Sequence, residues 1–296
     1  MSFLVKAGLS FRRQGQILSM PHQTLFARMN AVPGTERRRK TTSEDEHLVS
    51  MVHTVKQSHP SWGIRRVRAL IRKQSGMPVG RKRIASIMRK HALLCSRIQK
   101  RVHRTTSPRI TATRLNQLWA TDMTLFMLSN GTKVFLIVVM DVFTRRIVGW
   151  HASLRCRAVE WLQALDKAFQ TEFPDGVRGH DLTLRMDNGC QPTSKLYQDT
   201  LSTCGITGEW IGFNCPEQNA YVESLIGTLK RDWLWLEECS SFQEAHNLCQ
   251  KAVLEYNTSH PHSSLGMWSP FEFTELVKKG LVSVKNNVLI IHTKAA

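Results

Sequence analysis

Apolar positions recur along this chain with two different periods, and the change from one to the other divides it. Between residues 62 and 94, Ile64, Val67, Leu70 and Ile71 fall at helical spacing. Ser75-Gly76-Met77-Pro78 interrupts them, and Ile84, Ile87 and Met88 resume the period. The pattern predicts two short amphipathic helices joined by a glycine-containing turn, as in a helix-turn-helix. Another helix is predicted from Ser43, where Glu44-Asp45-Glu46 suit a first turn. Two short ones are predicted within residues 1–34, the second over 21–29. Beyond residue 116 the period shortens. Residues 119–128, 133–141 and 145–153 are rich in β-branched and aromatic side chains, with Asn130-Gly131 as a hairpin signal between the first two. Helices over 158–169 and 194–204 then alternate with short strands at 182–186 and 206–211, before closing helices. This order describes an α/β core with an antiparallel hairpin edge.

Charge separates the same two regions. Residues 1–114 hold 25 Lys and Arg against 4 Asp and Glu, a net of +21, whereas residues 115–296 net −3. A basic third on a nearly neutral body reads as a nucleic-acid-binding module tethered to a catalytic or scaffold domain. Within the paired helices, Arg65, Arg66, Arg81, Lys82, Arg83, Arg89 and Lys90 are the candidate DNA contacts. The stretch 99–116 is basic, rich in Thr and Ser and broken by Pro108, which suits a linker that tracks phosphates. The organisation expected is a helical arm at 1–40, a basic helix-turn-helix module at 41–98, that linker at 99–116, a catalytic core at 117–278 and a tail at 279–296. The longest apolar run, seven residues at 134–140, is far short of the roughly 18 a membrane span needs. Seven scattered cysteines without a CxxC pair point to reduced thiols in a cytoplasm, not to a disulfide framework or structural zinc.

Three carboxylates stand out against their surroundings. Asp122 interrupts an apolar strand, where a buried carboxylate is costly unless a cation compensates it. Asp187 directly follows the strand at 182–186 and precedes Asn188-Gly189, at the end of a strand where ligands of open α/β sheets gather. Glu223 is placed by its helix. At about 100° per residue, Val222, Leu225, Ile226, Leu229, Trp233 and Leu236 make one apolar stripe, and Asn219, Glu223 and Lys230 lie along its border. Taken together, carboxylates from three separate elements suit two-metal phosphoryl transfer, which holds two cations about 4 Å apart. Hard oxygen donors favour Mg²⁺, with Mn²⁺ as a substitute.

These segments resemble a known family. WATDMT at 119–124, RMDNG at 185–189 and NAYVESLIGTLKRD at 219–232 are similar to the catalytic segments of insertion-sequence transposases with a retroviral-integrase-type core. Glu223 follows Asp187 by 36 positions, the spacing of that family. DVFTRRIVGW at 141–150, YNTSHPHSSLGMWSP at 256–270 and the basic unit at 61–94 extend the resemblance over residues 45–278. It implies a ribonuclease H-like fold, a mixed five-stranded sheet flanked by helices and preceded by small all-α helix-turn-helix modules. It also implies metal-dependent cleavage at the element's ends, then attack of the freed 3′-hydroxyl on target DNA. The implied roles are metal ligation by Asp122, Asp187 and Glu223, a DNA contact by Lys230, and places beside the metal site for Asn188 and Asn219.

The partners implied are double-stranded DNA, both terminal repeats and target, further copies of the chain on that DNA, and an upstream helix-turn-helix protein fused to or paired with this one. The place of action would be the bacterial cytoplasm, at the nucleoid when DNA is bound. Two departures from the family pattern are Glu217-Gln218 before Asn219, where relatives carry an aspartate, and Cys190-Gln191-Pro192 after the Asp-Asn-Gly. The alternative reading is a catalytically decayed transposase that regulates transposition by binding element ends.

Overall fold

The computed structural model describes residues 16–17, 43–95, 112–212, 219–285 and 288–292. Apart from residues 16–17, which are helical, the elements expected within 1–42 lie outside these, as do residues 99–111 of the linker and Glu217-Gln218. The chain comprises two compact units, Met1–Ser50 and Met51–Ala296. Helix α1 spans Ser43–Ser58, beginning where Ser43 was expected to start it.

Helix α2, Ile64–Ser75, stops at Gly76, whose φ of 67° suits glycine and whose N–H reaches the Arg72 carbonyl. Helix α3, Arg81–Lys90, follows. Val67 and Ile71 of α2 and Ile84 and Met88 of α3 are buried, so the 3.6-residue period seen in the sequence is the packed face of the pair.

Five strands form the central sheet: β1 Leu118–Met127, β2 Lys133–Asp141, β3 Ile147–Ser153, β4 Thr183–Met186 and β5 Thr207–Trp210. Their order is β3-β2-β1-β4-β5, antiparallel across the first three and parallel from β1 through β5. The β1–β2 hairpin turns at Gly131, where φ is 81° and the N–H reaches the Leu128 carbonyl.

Alternate residues serve opposite faces. Trp119, Ile137, Val139 and Leu184 pack under α4 (Ala158–Glu172) and α5 (Lys195–Cys204). Leu118, Ala120, Val138 and Met140 pack under α6 (Ala220–Leu229), α7 (Phe242–Ser259) and α8 (Pro270–Lys278). Strand β3 meets α4 at Gly149, where a Cβ would lie 2.2 Å from the Ala164 carbonyl oxygen. In the region expected to be a tail, β6 (Val282–Lys285) and β7 (Val288–Ile291) form a separate antiparallel hairpin. No helix among the described residues is long and apolar enough to cross a membrane.

After Leu229 the helix widens into a π-turn over Lys230–Leu234. The helical segment ends with this turn, short of Leu236. Val222, Leu225, Ile226, Leu229 and Trp233 are buried as the stripe requires, but Leu236 is 52% exposed and Leu234 is buried instead. The π-turn also buries Asp232, and this carboxylate seats the two-helix module on the core. Ser61 donates its hydroxyl to it, and Trp62 donates its indole N–H at 3.2 Å. The Arg66 guanidinium lies 3.9 Å away and His260 Nδ1 3.7 Å. Trp62 stacks on His59 at 3.8 Å between ring centroids and meets His260 edge-on.

His260 is buried, and despite Asp232 its imidazole is held down to about 2. Burial is the main cause, reinforced by the charges of Arg66 and Arg231. A histidine depressed in the fold leaves the unfolded chain to take the proton first. The stability it contributes is therefore full above pH 6.5 and is lost as pH falls. By pH 5 that loss is about 2 kcal/mol. Asp122 (below) acts in the opposite sense, so wild type must be compared with His260→Phe. Urea denaturation at pH 7 and pH 5 should show a pH-dependent loss smaller by about this amount in the variant; equal losses would show that His260 is not buried uncharged.

Candidate active site

Strands β1 and β4 run parallel, paired at Leu118↔Thr183, Trp119↔Leu184 and Ala120↔Arg185. Asp122 and Asp187 each lie two residues beyond the last pair, so the same register sets them side by side. Leu184 and Met186 pack on the α4–α5 face, which turns Arg185 and Asp187 toward the face covered by α6. Asp122 alternates with Leu118 and Ala120 onto that same face. Arg185, buried here, is paired with Glu209 on β5 at 3.1 Å. Glu223 sits in the first turn of α6, exposed on the flank of its buried stripe.

Helix α6 starts at a fixed place over β1. The buried Asn219, at its N-cap, donates its amide to the Thr121 carbonyl at 3.4 Å, one residue before Asp122. Asn188 ties the loop after β4 to β5 by donating to the Ile211 carbonyl. Gly189 donates its N–H to Asp187 Oδ1 at 3.2 Å. The unusual Cys190-Gln191-Pro192 segment is accommodated in a turn. Gln191 reaches the Cys156 carbonyl at 3.0 Å, and Gln198 donates to the Pro192 carbonyl at 2.8 Å. Arg145, held at φ 63°, lies 3.6 Å over the Tyr221 ring, two residues before Glu223.

The electrostatics join the three carboxylates. Asp122 is pushed up to about 6, first by burial and then by the negative charges of Asp187 and Glu223. An N–H bond from Met123 at 2.7 Å and the Lys230 ammonium pull the other way. Two like charges thus act on Asp122, with a lysine as counter-charge. Among the described residues no three His, Cys, Asp or Glu side chains stand close enough to grip an ion as they are placed. The donors nonetheless suit a hard divalent cation: all are carboxylates, and their mutual repulsion is what such a cation relieves.

The basic residues divide. Arg65, Arg81, Lys82, Arg83, Arg89 and Lys90 are exposed, whereas Arg66 is half-buried against Asp232. The residues that seat the module (Ser61, Trp62, Asp232 and His260) were missed in the sequence. Only the acidic Asp232 within the apolar DWLWL run hinted at them.

Comparison with known proteins places the chain. Integrase core domain families match residues 112–211 and 205–270, and an HTH-like domain family matches residues 43–102. Transposase InsD for insertion element IS2A/D/F/H/I/K of Escherichia coli is 29% identical over 247 residues, 80% of this chain and 81% of that one. The chain belongs to the integrase-core transposases. A second relative, Transposase InsD for insertion element IS2-9 of Escherichia coli strain K12, is 29% identical over 80% of this chain and 79% of its own.

Solved structures similar to this transposase include a simian T-cell lymphotropic virus intasome in complex with PP2A regulatory subunit B56 gamma. It is 17% identical, with a TM-score of 0.46, over 75% of this chain and 73% of that one. Another is the HTLV-2 integrase catalytic core domain in complex with magnesium, 19% identical, with a TM-score of 0.43, over 54% of this chain and 97% of that one. In the transposase, the integrase-core matches span Asp122, Asp187 and Glu223, and the HTH-like match spans α1 to α3.

Proposed function

We propose that this transposase cleaves DNA at the ends of its insertion element and joins the freed 3′-hydroxyl to target DNA, with Asp122, Asp187 and Glu223 holding its catalytic divalent cations. The observation that carries the reading is the parallel β1–β4 register that sets Asp122 beside Asp187, with Asp187 and Glu223 both raising the half-buried Asp122 carboxyl. Mg²⁺, with Mn²⁺ able to replace it, would activate the attacking oxygen and stabilise the leaving one. Water attacks the phosphodiester phosphorus at the element end, the P–O3′ bond breaks, and the 3′-oxygen leaves as a hydroxyl. That hydroxyl then attacks a target phosphodiester, exchanging one P–O bond for another, so no enzyme-bound covalent intermediate forms.

The chain's own residues place these reactants. Asn219 holds the start of α6 against β1, and so Glu223 against Asp122. Asn188 fixes the loop that carries Asp187. Lys230 faces the carboxylates' field and pairs with a DNA phosphate. Residues 41–98 bind double-stranded DNA and residues 117–278 carry out the chemistry, on an oligomer that processes two ends together with the upstream helix-turn-helix protein.

The test is cleavage of labelled DNA bearing the element's terminal repeats, with Mg²⁺ or Mn²⁺, by wild type and Glu223→Gln. Metal-dependent nicking at the repeat tip, lost in the variant, is expected. Equal cleavage by the variant would remove Glu223 from the site. Binding without cleavage by the wild type, repeated when the chain is fused to its upstream partner, would instead identify a decayed copy acting as a regulator.

A further inference from the structure

Helix α2 carries a second basic face, separate from the exposed face of α3. Arg65, Arg68 and Arg72 recur at i, i+3 and i+7 along a flank of the face that buries Val67 and Ile71. They line one wall of a groove of about 700 Å³, whose far wall is the turn Gly266-Met267-Trp268 leading into α8. Arg81 from the start of α3 closes one side. The one carboxylate among the lining residues, Glu272, already pairs with Lys73 and accepts from Ser269. Arg68 is held in place: its Nε donates to the Val79 carbonyl at 2.8 Å, so its guanidinium orientation is set before any ligand arrives. Met267 is also fixed, with φ at 73°, and presents an apolar edge beside the Trp268 ring.

Resting on the transposase reading, we infer that this groove holds one sugar–phosphate backbone of the bound DNA, without regard to sequence. Seven helical residues span about 10 Å. One DNA strand carries a phosphate for each 3.4 Å or so of axis, so the stripe faces about three phosphates. Guanidinium groups suit phosphate oxygens. Trp268 and Met267 meet the sugars. The two-helix module and the core thereby grip the same DNA, from a face other than the exposed face of α3.

The experiment measures binding of the full chain to labelled duplexes across a salt series, one carrying the terminal repeat and one a scrambled duplex of the same length. Arg65 and Arg72 are exposed, so R65A/R72A leaves the packed face of α2 untouched. The slope of log affinity against log salt should fall by about two on both duplexes. R65K/R72K should keep it, and Lys82→Ala/Arg83→Ala should weaken the repeat duplex more than the scrambled one. An unchanged slope in R65A/R72A, or a loss confined to the repeat duplex, overturns the inference. So does loss of binding to polyglutamate with duplex binding intact, which would assign the groove to an acidic protein. Failure of the wild type to bind either duplex, both alone and fused to its upstream partner, would overturn this inference and the transposase reading together.

Discussion

Asp187→Asn is expected to lower strand cleavage by roughly three orders of magnitude while leaving DNA binding unchanged, as loss of several kcal/mol of metal-borne stabilisation requires. The substitution is nearly isosteric. Asp187 Oδ1 accepts the Gly189 N–H at 3.2 Å, and an asparagine oxygen can accept the same bond, so the turn after β4 survives. What is lost is charge. The basic helices proposed to bind DNA are other elements, so affinity for the duplex is a control within the same experiment. A second readout does not depend on turnover. Mn²⁺ held by the proposed site in the folded state alone should raise the wild-type melting temperature, and this rise should shrink in the variant. Asp122 reports the same event: with Asp187 neutral, one of the two charges pushing its carboxyl upward is gone. Wild-type-like cleavage by Asp187→Asn would remove Asp187 from the metal site.

The parts of this fold that local chemistry determines were legible in the sequence. The Asn130-Gly131 hairpin, the break at Gly76 and the strand and helix order of the core all follow from neighbours in the chain. The site was legible to a lesser degree. Asp122 stood out as a charge in an apolar strand, and Asp187 by its place after one, but it was the family resemblance that joined them to Glu223. Leu236 departs from the stripe because the helical segment closes in a π-turn at Leu234, an end that no local residue announces. Arg66 read as one more DNA-facing cation. Its partner Asp232 lies 166 positions away, and only the packed structure brings the two together. The closing hairpin β6–β7 was read as a tail, since two four-residue strands give a weak pattern.

Asp232→Ala should be the most damaging single change outside the candidate site, costing about 3 kcal/mol in urea denaturation. The side chain is 2% exposed, and it takes hydrogen bonds from Ser61 and Trp62 and the charge of Arg66. Alanine leaves the buried Trp62 indole N–H without its acceptor, which is where most of the cost arises. Asp232→Asn keeps one oxygen acceptor, so it should cost about half as much. Arg66→Ala should cost under about 1 kcal/mol, because that guanidinium is 28% exposed and partly screened. This ranking of Ala at 232, then Asn at 232, then Ala at 66 separates a buried anchor from a surface ion pair. Equal effects for Asp232→Ala and Arg66→Ala would mean that the charge pair, not the hydrogen-bonded seat, holds the module. The anchor bears on catalysis because Glu223, Lys230 and Asp232 share one continuous helical segment. Loosening Asp232 should therefore also reduce cleavage in Asp232→Asn under conditions where that variant remains folded. Intact cleavage in that variant would confine Asp232 to stability alone.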